Sequence, residues 1–165
     1  MADIIQYLTF KLADEIYAIN VSSIKEVLGV PKITKVPRMP AFMSGVINLR
    51  GNVVPVLDLK MKFGLGQTLC TLDTSIIVTE IKDIFKDDES ECFTVGIFSD
   101  MVQKVVDIDS SMIEPPPKIG SSINTEFIIG MGRMNSEFVI ILNINRILSE
   151  DEVLVSSAEG AVVND

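Results

Sequence analysis

The sequence predicts a mostly β protein made of two homologous units packed side by side. Three observations carry this. Apolar and polar residues alternate in many short runs, turn-forming residues separate those runs, and the second half of the chain repeats the first.

The runs come in order. Leu8, Phe10 and Leu12 alternate with Tyr7, Thr9 and Lys11, and Tyr17, Ile19 and Val21 continue the period of two after Ala13-Asp14-Glu15. The period then changes. Ser23-Ile24-Lys25-Glu26 fits the S-x-x-E capping box, and Ile24, Val27 and Leu28 follow at helical spacing. A short helix is expected there, ended by Gly29 and barred from continuing by Pro31. A connector with Pro31, Pro37 and Pro40 leads to strands at Val46–Arg50 and Val53–Leu57. Gly51-Asn52 between them suggests a type II′ turn. Pro55 should lie where its missing N–H is not needed, at an edge or bulge. Asp58 can cap a helix over Leu59–Phe63 that Gly64 stops. Further strands are expected at Ser75–Ile81, Cys92–Phe98, Lys104–Ile108, Ile128–Met134 and Glu137–Leu142. The charged run 86–91 reads as a solvated loop, and the stretch 151–165 as a partly disordered tail.

Displaced by 85 positions, Phe42–Phe63 overlies Phe127–Leu148. Phe42 meets Phe127, Gly45 meets Gly130, Val54 meets Val139 and Leu57 meets Leu142. Asp58 meets Asn143, so both copies keep a helix-capping residue, and Leu59 and Phe63 meet Ile144 and Leu148. A repeat this long does not build a solenoid. It suggests two β-units related by a pseudo-twofold, with a groove between them. The units are expected at roughly 15–70 and 71–149, interleaved and completed by the N-terminal strand, within one domain spanning 1–150.

Composition narrows the function. Of 165 residues, 47% are hydrophobic, enough for a sizeable core. The net charge of −9 argues against nucleic acid and against anionic lipid as partners. Histidine is missing, which excludes histidine-dependent triads and His-ligated metal catalysis. Cys70 and Cys92 form no CxxC pair, so neither a disulfide framework nor a zinc site is expected. Gly64-Leu65-Gly66 and Gly130-Met131-Gly132 lack the third glycine of a dinucleotide fingerprint. No P-loop or GxSxG elbow is present. The N-terminus has no signal-peptide pattern and no apolar run is long enough to span a bilayer, so a cytoplasmic protein is expected. No catalytic residue, metal or cofactor is assigned.

Two side chains stand out. Arg50 lies beside the Gly51-Asn52 turn, either as an exposed hairpin arginine without a role or as a cation at the mouth of the groove. Glu26 is either the capping-box acid or an outward charge beside that groove.

These residues also carry a resemblance. Gly45-Val46-Ile47-Asn48-Leu49-Arg50-Gly51, followed by Val54-Pro55-Val56-Leu57-Asp58-Leu59 and preceded by Pro40-Ala41-Phe42, resembles the signature of the CheW family of chemotaxis coupling proteins. Tyr7–Leu28 is similar to the family's first strands, Ser122–Leu148 to its closing hairpin, and the likeness spans about residues 5–149. The resemblance implies two five-stranded SH3-like β-barrels packed side by side with short helices, and no catalytic activity. It implies an adaptor between the cytoplasmic tips of methyl-accepting chemoreceptors and the regulatory domain of the histidine kinase CheA, at membrane-associated arrays without membrane insertion. A CheW-like module of a CheV-type or CheA-type protein is the alternative. By the same resemblance, Arg50, Glu26, Ile24 and Ile76 match positions implicated in receptor or kinase coupling, and Val27, Leu28, Asn48 and Gly51 join them as neighbours.

Overall fold

A computed structural model of the chain describes residues 3–82, 92–116 and 127–148. The charged run 86–91, the first residues of the closing segment from Ser122, and the tail from Asp151 lie outside the described residues. The strands are β1 (Ile4–Leu12), β2 (Glu15–Asn20), β3 (Ile24–Gly29), β4 (Met43–Leu49), β5 (Asn52–Leu57), β6 (Ser75–Lys82), β7 (Cys92–Ser99), β8 (Met101–Asp109), β9 (Ile128–Met134) and β10 (Glu137–Leu142). One short helix, α1 (Leu59–Lys62), follows β5.

The strands form two five-stranded sheets with matching plans. The first runs β8-β1-β2-β10-β9 and the second β3-β6-β7-β5-β4. In each, an antiparallel hairpin (β1–β2 or β6–β7) pairs in parallel with the last strand of a second hairpin (β10 or β5). The two halves of the sequence exchange strands. The chain lays β1 and β2 in the first sheet, crosses to build all of the second, and returns for β8, β9 and β10.

Side-chain alternation sorts the apolar residues into three cores. Tyr7, Ile16, Ala18, Ile108, Val139 and Ile141 pack within the first sheet. Ile47, Val54, Val56, Ile76, Val78 and Phe98 pack within the second. A larger core between the sheets takes the opposite faces, including Phe10, Leu12, Ile19, Leu57, Ile77, Ile97 and Leu142. This is why β2 and β7 read as nearly continuous apolar runs: both of their faces are covered. An aromatic column crosses this shared core, with Tyr17 stacked between Phe10 and Phe63, and Phe63 against Phe127 at 4.6 Å.

Each sheet curls until its edges meet. Beyond β3, Thr34 exchanges two backbone hydrogen bonds with Val46 of β4, both 2.8 Å. Beyond β8, Glu114 does the same with Met131 of β9, at 2.9 and 2.7 Å. Gly45 and Gly130 stand beside these seams. A Cβ on Gly45 would collide with the Thr34 carbonyl and approach the Ile33 methyl to 2.8 Å, and one on Gly130 would lie 2.5 Å from the Glu114 carbonyl. The repeated glycine is therefore a closure device.

Three expectations from the sequence are corrected. Residues 24–29 are strand, not helix. Only Val21–Ser23 makes a helical turn, and Asn20, not Ser23, caps it by accepting the Ser22 N–H at 2.9 Å. The strand wins because β6 needs an antiparallel partner: Val27, Leu28 and Gly29 pair with Ile77, Ile76 and Ser75, and a bulge between Ile24 and Glu26 absorbs the misfit. Gly29 ends that strand without a left-handed φ. The β4–β5 turn is also one residue earlier than expected. Leu49 pairs with Asn52, so Arg50-Gly51 are the central residues, with φ of 54° and 87°. Two positive values define the type I′ class, not II′. Register decides this, because Ile47 opposite Val54 keeps both in the core and a one-residue slip would turn them outward.

Pro55 lies opposite Val46 in an interior strand, but Val46 spends both of its backbone groups on Thr34 and the β7 ladder begins only at Val56. Its missing N–H therefore costs no bond. The α1 cap stands as expected, with Asp58 at the N-cap, Phe63 at the C-cap and Gly64 at φ 77°.

Candidate functional site

The curl of the second sheet brings its two edges together, and with them Glu26 of β3 and Arg50 of the β4–β5 turn. Arg50 donates from Nη1 to Glu26 Oε2 at 2.6 Å and from Nη2 to Oε1 at 3.0 Å. This forked geometry suits a guanidinium and a carboxylate. The Arg50 side chain is 71% exposed and that of Glu26 28%. The hydrogen bonds from Arg50, with its charge and that of Lys25, hold the Glu26 carboxyl below the ordinary carboxylate range despite partial desolvation. The same bonds push the Arg50 guanidinium up.

Arg50 occupies a left-handed position that favours Asn or Gly. Asn48 supports the turn by accepting the Gly51 N–H at 2.8 Å, and Asn48 and Gly51 are both exposed. The expected residues then divide. Val27 is exposed on β3, 42% open. Leu28 is half-buried against the interior of the second sheet, and Ile24 packs on the shared core. Ile76 pairs with Leu28 and is fully buried, so it supports the face from beneath and offers no surface to a partner.

A groove of about 370 Å³ lies between the sheets. Ile19, Asn20, Ser22 and Ser23 line it from the first crossing, with Glu80, Lys82 and Cys92 from the second sheet and Ile129 and Leu142–Asn145 from the first. Arg50 is not among the lining residues; it sits on the β3–β4 seam. Glu26 follows the groove residue Ser23 by three positions, beyond the bulge that begins β3. Sequence reading missed Ser22, Glu80, Lys82 and Asn145 as groove residues. The one signal pointing to the area was the Asp58/Asn143 equivalence, which places the second cap at the groove wall. Among the described residues no group of His, Cys, Asp or Glu is placed to hold a metal ion, and no helix is long and apolar enough to cross a membrane.

Two fused β-units with an exposed, ion-paired arginine and an open groove describe a protein-binding module. The family pattern of the CheW-like domain matches residues 6–152, and the chain belongs to that family. It is 33% identical over 149 residues to "Chemotaxis protein CheW" of Helicobacter pylori, covering 90% of this chain and 84% of the relative. It is 30% identical over 148 residues to the protein of that description in Klebsiella aerogenes, with the same two coverages. The crystal structure of the scaffolding protein TtCheW from Thermoanaerobacter tengcongensis superposes with a TM-score of 0.76, at 33% identity and 91% coverage of both chains. These matches support a chemotaxis adaptor and do not favour the CheV-type or CheA-type alternative.

Proposed function

We propose that this chemotaxis adaptor couples the cytoplasmic tips of methyl-accepting chemoreceptors to the regulatory domain of the histidine kinase CheA, at membrane-associated arrays and by binding alone. The receptor's helical hairpin lies along the inter-sheet groove and reaches the β3–β4 seam, where an acidic or carbonyl group meets Arg50. The kinase module docks on the loops and edges left free. Signal passes as a coupling free energy between the two sites.

The observation that carries this reading is the placing of Arg50. A long cation stands in a turn position better suited to Asn or Gly, held in a forked pair yet largely exposed. Arginine anchors of this kind dominate many interfaces. Val27, Asn48 and Gly51 form the exposed surround, and Ile24, Leu28 and Ile76 set the backbone beneath it. In pull-down against a receptor-tip fragment, Arg50→Ala is expected to lose about tenfold in affinity with an unchanged melt. Full binding by that variant would remove Arg50 from the site.

A further inference from the structure

The chain passes between the two sheets only twice among the described residues, and the two crossings are built differently. The first, Val21–Ser23, opens onto the groove, which Ser22 and Ser23 line. The second is the turn at Asp100 between β7 and β8, and it is tied shut. Asp100 Oδ2 accepts from Lys60 Nζ at 3.1 Å and from the Ala13 N–H at 2.7 Å. The Asp100 N–H donates to the Lys11 carbonyl at 2.9 Å. One aspartate thus joins α1, which follows the second sheet, to the β1–β2 turn of the first. The side chains of Lys60 and Asp100 are only 14% and 25% exposed, and Ala13 holds a left-handed φ of 57° within the knot. A partly buried ion pair sharing its acceptor with a backbone N–H is less screened than a free surface pair.

The repeat shows what the first crossing lacks. Displaced by 85 positions, Lys60 falls on Asn145, a groove residue. The cation has become an amide, and among the described residues Asn145 Oδ1 accepts only the Lys82 N–H, at 2.8 Å. Asn20, which closes β2, spends its side chain on the Ser22 N–H. No ion pair spans this side among the described residues, and the space remains as the groove.

We infer that Lys60 and Asp100 are positioning residues for the groove: by locking one crossing, they fix the angle between the sheets and so the width of the opening at the other. Neither residue lines the groove, so any effect there passes through the relative placement of the sheets. The inference deepens the proposed function, since it concerns the groove assigned to the receptor tip, but its test needs no partner.

Cys92 lines the groove and its thiol is exposed, which makes it a native reporter. In a Cys70→Ser background, the rate of Cys92 labelling by a small maleimide is measured well below the melting temperature. Lys60→Met and Asp100→Asn are expected to change that rate at least threefold. The charge-keeping Lys60→Arg should return it to within about 1.5-fold of the parent. Ile47→Val, which loosens the interior of the second sheet without touching the knot, should leave it unchanged. If Asp100→Asn does not fold, Lys60→Met with its arginine rescue carries the test alone. Unchanged labelling in Lys60→Met, an equal change in Ile47→Val, or no recovery in Lys60→Arg would overturn the inference. A change in labelling with no change in receptor-tip binding would leave the positioning role standing and count against the groove as the receptor site.

Discussion

The β4–β5 and β9–β10 hairpins are two versions of one device. Each begins beside a seam glycine, Gly45 or Gly130, and turns through two residues with positive φ, Arg50-Gly51 or Asn135-Ser136. Each then runs into a capped helical turn, at Asp58 or Asn143. In both, the capping residue donates its backbone N–H to the phenylalanine that precedes the hairpin: Asp58 to Phe42 at 2.6 Å and Asn143 to Phe127 at 2.7 Å. The scaffold is shared, so the scaffold explains what is alike. What differs is the side chain at the tip and its counterpart across the seam. One copy carries an arginine forked onto Glu26; the other carries Asn, the residue a type I′ turn prefers. Folding requirements account for Asn135. They do not account for Arg50, and that is the ground for assigning Arg50 to binding.

Substitutions can probe how far the likeness holds. The largest effect is expected at the seams. Gly45→Ala places a Cβ against the Thr34 carbonyl and the Ile33 methyl and forces alanine to φ 146°, whereas Gly130→Ala meets the matching collisions with the Glu114 carbonyl and the Ile113 methyl without the strained φ. Losses of about 4 and about 2 kcal/mol are expected, a melting shift of roughly 8–16 °C for the first. Equal losses would mean that the φ at Gly45 costs nothing.

The caps come next. Asp58 is buried and its carboxylate accepts from the Lys60 and Met61 N–H groups and from both the N–H and the hydroxyl of Thr68, at 2.9 and 2.7 Å. Among the described residues, the Asn143 side chain accepts only from the Asn145 N–H. Asp58→Ala should cost about 3 kcal/mol, since it orphans the buried Thr68 groups as well as the cap. Asn143→Ala should cost about 1 kcal/mol. Urea denaturation of the two variants separates the values.

The Glu26–Arg50 pair should matter least to folding, because it is exposed and screened by salt. Its sign with pH is fixed by the depressed Glu26 carboxyl. The pair's contribution is fully present above the ordinary value of 4.5 and is lost as pH falls through the lowered one. NMR titration of the Glu26 carboxyl should give a midpoint below 4.5, and Arg50→Ala should raise it toward that value. A midpoint at or above 4.5 in the parent would show that the pair does not persist in solution.

Much of this was legible in the sequence. The bounds of β9 and β10 follow from alternation alone, and Asp58 with Gly64 marks both ends of α1. The 85-residue displacement located the seam glycines and the paired caps before any geometry was known. Two features were not legible, and for the same reason. Ser23–Leu28 carries a sound local helix signal that an unpaired β6 edge overrides, and the Arg50 turn is placed by the burial of Ile47 and Val54 and not by its own residues. The first is settled by pairing with a distant segment and the second by which faces of the two flanking strands are buried, and neither is encoded in the helix or turn residues themselves. The Glu26–Arg50 pair itself spans the closed seam, so the two candidates could be named but not joined. The Lys60–Asp100 knot gave no local signal at all.

The most direct test exchanges the tip of one hairpin for that of the other. Arg50→Asn gives the first turn the residue of the second, and binding of a chemoreceptor-tip fragment is followed by titration calorimetry beside a thermal melt. The expected result is a melting temperature unchanged within about 2 °C and an affinity lowered about tenfold or more. Undiminished affinity in a folded Arg50→Asn variant would contradict it.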